Sequence, residues 1–163
     1  MGRQLVDKAL IVIGVELDGK KVGRVRLRHI PDASGNRLVG FVKDCVAAGS
    51  TVHTDAWNGY NGVQAAGFTH RVTSRQGDTE RARKFFPHVH LVASLLKRWL
   101  VATHQGGVRK EHLQAYLDEY AFRFNRRRSM HVGKIFYRLM EQIVVRKARS
   151  YREIVHPIQK SLE

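Results

Sequence analysis

Asp55 closes a short β-branched segment, TVHTD, and Trp57 and Tyr60 follow it closely. In α/β proteins ligands gather at the carboxyl ends of strands, which makes Asp55 the first candidate for chemistry. The same position suits a helix N-cap, and local sequence alone leans towards that plainer role. His90, Ser94 and Lys97 follow at helical spacing. Seven residues is about two turns, so His90 and Lys97 point the same way. A lysine there can neutralise a phosphate as a point charge, although Lys97-Arg98 also reads as an ordinary solvated helix face. His88 and His90 form a His-x-His with no acid or cysteine at zinc spacing. Gly133-Lys134 runs into Ile135 and lacks the glycine pattern of a phosphate-binding loop. Cys45 falls on an apolar helix face and reads as packing.

The elements that position these groups come in an α/β order. Lys8 to Leu17 is nearly all apolar and β-branched, as in a strand covered on both faces. Asp18-Gly19 makes a turn, and Val22 to Ile30 then alternates. Val25 and Leu27 take one side of it; Arg24, Arg26 and Arg28 take the other. Those arginines guard a strand edge or meet DNA, and the pattern leaves both roles open. Ser34 opens a helix with Leu38, Phe41, Val42 and Cys45 on its apolar face. A strand over 50–54 ends at Asp55, a helix over 57–66 stops at Gly67, and a strand follows over 68–73. The polar stretch 74–84 bridges to three helices. Their apolar stripes are Val89, Val92, Ala93, Leu96, Trp99 and Leu100, then Leu113 to Phe124, then Val132 to Ile143. All three stripes read as core. Residues 1–150 form one domain and 151–163 a tail.

Charge is the loudest signal. The chain has 163 residues, 29 Lys+Arg against 14 Asp+Glu, and a net charge of +15. That excess points to a polyanion, nucleic acid first, with an anionic membrane surface as competitor. The longest apolar run, Ala9 to Val15, falls well short of the roughly 18 residues of a spanning helix, and no membrane partner is expected. One cysteine rules out an internal disulfide framework, and a soluble protein of a reducing compartment is expected. From Arg123 to Arg152 there are ten Lys/Arg and one acid, Glu141. This stretch reads as the main phosphate-binding surface, with Arg98, Arg123, Arg126, Arg127, Arg128 and Lys134 the chosen contacts.

Four segments then converge. IPDAS (30–34), GSTVHTDAWNGY (49–60), VHLVASLLKRWLVATHQGGV (89–108) and EHLQAYLDEYAFRFNRRRS (111–129) resemble bacterial insertion-sequence transposases with an ISXO-type, DDE-like catalytic domain. The similarity spans about Lys8 to Ile143. It implies an α/β fold of the RNase H type, a mixed sheet followed by C-terminal helices. It also implies that acidic side chains hold Mg²⁺ or Mn²⁺ for in-line attack on a DNA phosphodiester. The family's second aspartate falls on Asp55, which becomes the metal ligand. Its third catalytic position falls on His90, an imidazole where hard oxygen ligands are usual. Its lysine falls on Lys97, beside the phosphate. The strand carrying the first aspartate has no counterpart here, so a truncated transposase with impaired catalysis is expected. Double-stranded DNA, as transposon ends and target, is the implied partner. A homo-oligomer or a mixed complex with full-length transposase is also implied, in the bacterial cytoplasm and nucleoid. A non-catalytic DNA-binding regulator and an RNase H-like nuclease are the alternatives.

Overall fold

The computed structural model describes residues 9–73, 85–104 and 108–155. Strands β1 (Leu10–Asp18) and β2 (Lys21–Ile30) form an antiparallel hairpin. Gly19 turns it at φ 61°, a left-handed conformation that a β-carbon disfavours. The register slips between Val15 and Leu17. There the Glu16 carboxylate accepts the Arg24 N–H at 3.1 Å in place of a backbone partner.

Helix α1 (Gly35–Cys45) lies on one face of this hairpin. Leu38 and Phe41 cluster with Val12 and Ile30. Gly14 makes the approach possible, because a β-carbon there would stand 3.2 Å from the Phe41 ring. The expected apolar face of α1 is thus the one it buries. Ser34 occupies the N-cap position, but its side chain makes no capping hydrogen bond. Asp32 instead accepts the Ser34 N–H at 2.9 Å, a local turn that leads the chain into the helix.

On the arginine side of β2, Arg24 and Arg26 are exposed and Arg28 alone is drawn against α1. Arg28 is half-buried, pairs with Asp44 at 2.9 Å and lies over the Phe41 ring. Of the two roles left open for these arginines, neither describes Arg28, which ties sheet to helix.

Strands β3 (Thr51–Asp55) and β4 (Thr69–Thr73) form a second, parallel pair in even register. The helix expected between them is a 3₁₀ turn, Asn58–Tyr60, followed by further turns as far as Gly67. Glycines at 59 and 62 and asparagines at 58 and 61 weaken a regular helix there. Val42 of α1 packs with Val63 and Phe68, so one helix serves both sheets. The architecture is mixed α/β, with its described strands in two pairs rather than one sheet.

Helices α2 (Pro87–His104) and α3 (Leu113–Asn125) cover the other face of the hairpin. Val92, Leu96, Leu113, Leu117 and Tyr120 bury Val25 and Leu27, with Ile11, Ile13 and Val15 packed at the margin. β1 is apolar on both faces because helices lie on both. The third stripe behaves differently. Helix α4 (Val132–Val144) leaves Phe136 63% and Ile143 54% exposed, so it is not the core element its periodicity predicts. A short α5 (Tyr151–Val155) lies within the stretch read as a tail. The bridge 74–84 lies outside the described residues.

Candidate functional site

Asp55 ends β3 beside Thr73, at the carboxyl end of both parallel strands. Alternation along β3 puts Val52 and Thr54 on the α1 side, and Val52 packs there. His53 and Asp55 therefore share the opposite side. The His53 ring lies 4.8 Å from that of Phe86, the residue immediately before α2. The side of β3 that carries Asp55 is thus the side on which α2 begins. His53 also shares a 2.6 Å hydrogen bond with Thr73. Burial, and then the Arg71 charge, hold its imidazole below the usual histidine range.

The Asp55 carboxylate accepts the Trp57 N–H at 3.3 Å, a turn-forming contact two residues on. It does not cap the following 3₁₀ turn, whose N-cap residue is Trp57. The expected capping role is therefore replaced by a loop-shaping one. Trp57 is pinned in turn, its indole N–H donating to the Ala33 carbonyl at 3.0 Å. Gly59 is demanded by contact: a β-carbon there would sit 2.7 Å from the Ala33 carbonyl oxygen and from a Leu38 methyl. Tyr60 packs into both clusters under α1. Its phenol is pushed up by burial, and further by the nearby Asp55 charge. The segments IPDAS and TDAWNGY are one physical unit that fixes the backbone at Asp55.

His90 sits in the first turn of α2 with its N–H bonded to the Phe86 carbonyl at 3.1 Å. It is exposed. Lys97 and Arg98 are exposed two turns further on, opposite the buried Val92 and Leu96. Among the described residues no three His, Cys, Asp or Glu side chains gather as metal ligands. A two-metal centre needs several hard oxygen donors around it, and the described residues do not supply such a set.

The basic run at the end of α3 is held firmly. Arg127 donates to the Val22 carbonyl at 2.5 Å and to that of Gly23 at 3.2 Å, with its guanidinium over the Phe124 ring. Arg126 lies over the Phe122 ring, its carbon 3.7 Å from the centroid. Arg123 pairs with Glu119 at 2.9 Å, an exposed bridge that leaves its charge largely available. Arg128 and, on α4, Lys134 are exposed. Burial raises the Tyr120 phenol, while the Arg127 and Arg98 charges act to lower it. Sequence reasoning found these arginines but missed Asn125 and Gln114, whose side chains bind the outer edge of β2. Nothing local marks them.

Comparison with known families decides the assignment. A family model described as ISXO2-like transposase domain matches residues 1–125. The chain belongs to that family. Membership in a transposase family gives it a transposition-related function and implies interaction with DNA in general. The match ends at Asn125, the last residue of α3, so α4 and α5 of this transposase domain lie beyond it. Comparison with curated proteins gives no match. No helix among the described residues is long and apolar enough to cross a membrane.

Proposed function

We propose that this transposase domain binds double-stranded DNA through a basic ledge built from α2, the end of α3 and the start of α4. Arg98, Arg123, Arg126, Arg127, Arg128 and Lys134 are its phosphate contacts. The observation that carries this reading is the pair Arg126 and Arg127 at the end of α3. Their guanidiniums lie over the Phe122 and Phe124 rings, and Arg127 also donates to the Val22 and Gly23 carbonyls. Pinning by backbone carbonyls and aromatic rings leaves these guanidiniums little freedom to lose on binding, and that favours affinity.

On the same reading, the fold is a variant of the RNase H type and its own strand cleavage is impaired. Asp55 is the retained acidic position, at the end of a strand with its backbone fixed by Trp57 and Gly59. His90 brings an imidazole, and Lys97 an ammonium for a phosphate oxygen. Mg²⁺ or Mn²⁺ would polarise the phosphodiester and activate the attacking hydroxyl, but these residues alone make a poor home for it. That shortage favours a second reading, a non-catalytic DNA-binding regulator that works through mixed complexes with an intact transposase.

A supercoiled-plasmid nicking assay with Mg²⁺ or Mn²⁺, run beside a duplex-binding isotherm, tests both parts. Tight, salt-sensitive binding with little or no nicking supports the proposal. Vigorous metal-dependent nicking that Asp55→Ala abolishes refutes the impairment, and weak binding insensitive to salt refutes the ledge.

A further inference from the structure

Helix α4 has an apolar side that nothing among the described elements covers. Ile135, Phe136, Leu139, Met140, Ile143 and Val144 follow the spacing of one broad helical face, and all but Ile135 are exposed. Phe136, Leu139 and Ile143 recur at intervals of three and four, the spacing of a seam between paired helices. The helix lies beyond the residues that match the transposase family, so this face is not part of the matched domain.

We propose that α4 is a self-association surface, pairing with α4 of a second copy of this chain about a two-fold axis. Area is the first argument. Two such faces together bury on the order of 1,000 Å², the lower end of what a specific interface needs. Charge is the second. The residues flanking the seam are Ile135, Met140 and Gln142, none of them charged, so two identical faces meet without apposing like charges. Lys134, Arg138 and Glu141 lie on the far side, where Arg138 and Glu141 pair at 2.9 Å. That side carries a net charge of only +1 along the helix, against the cation-rich polar face of a helix that lies on anionic lipid. A two-fold pairing closes the assembly at a dimer and doubles the basic ledge next to it.

Sedimentation velocity of the full chain without DNA, at micromolar concentration, tests this directly. The expected mass is twice 18.7 kDa, and it persists at raised salt, where duplex binding fades. Phe136→Glu combined with Ile143→Lys is expected to halve the mass with an unchanged circular dichroism spectrum, since neither side chain is buried. Arg138→Gln, on the far side, is expected to leave the dimer intact. A monomeric wild-type chain overturns the proposal, as does a dimer that survives the double substitution. Capture of the monomer by phosphatidylglycerol vesicles, lost in the same double variant, also overturns it and assigns the face to a lipid surface.

Discussion

Asn125 grips Val25 across 100 residues of chain: its carboxamide oxygen accepts the Val25 N–H at 2.7 Å, and its NH₂ donates to the Val25 carbonyl at 3.0 Å. Gln114, three turns earlier on α3, does the same work further along β2, donating to the Leu27 carbonyl and accepting the His29 N–H. With Arg127 on Val22 and Gly23, side chains along α3 and just past its end close the outer edge of the hairpin. An edge strand left open is a template for aggregation. Here α3 stands in for the missing neighbour.

Removing that grip exposes its worth. Asn125→Ala leaves the N–H and carbonyl of the fully buried Val25 without partners, at a cost of about 2–3 kcal/mol. Asn125→Asp keeps an acceptor but loses the donor, and falls in between. Urea denaturation followed by circular dichroism measures both, and an unchanged midpoint for the alanine variant would mean that water replaces the amide at no loss.

Gly59→Ala tests the unit that positions Asp55. Its new methyl meets a backbone carbonyl and a buried leucine, so the 57–60 turn must shift, at about 1–3 kcal/mol. Trp57 fluorescence should change with it, because the indole lies against the same carbonyl. A native-like spectrum and full stability would contradict the crowding.

Salt dependence reads the ledge. Arg128→Ala and Lys134→Ala should each reduce the slope of log binding constant against log salt by roughly one, and weaken all duplex sequences alike. Loss of affinity for one sequence only, with the slope kept, would point to base reading instead.

His53 offers a pH probe near Asp55. Its folded imidazole titrates below the ordinary 6.5, first through burial and then through Arg71. As pH falls through that window the unfolded chain takes up the proton first, so folding stability declines with acid and returns above it. The histidine is exposed, which keeps the effect small. NMR titration should give a low midpoint that rises in Arg71→Ala, and a midpoint at or above 6.5 in the wild-type chain would show the burial to be absent.

The order of strands and helices, the hairpin turn, the apolar face of α1 and the place of Asp55 at a strand end are all legible in the sequence. Each rests on local chemistry: periodicity, glycine at positive φ, β-branched runs. The family too is legible, because four separated segments keep their order. Tertiary structure decided what local pattern cannot. It turned the expected helix after Trp57 into a glycine-pressed turn, set Arg28 between sheet and α1, and recruited Asn125 and Gln114 to a strand edge. Among the described residues it also left the stripe of α4 uncovered. An apolar period states that a face wants cover, but only the packing of distant elements settles whether this chain provides it.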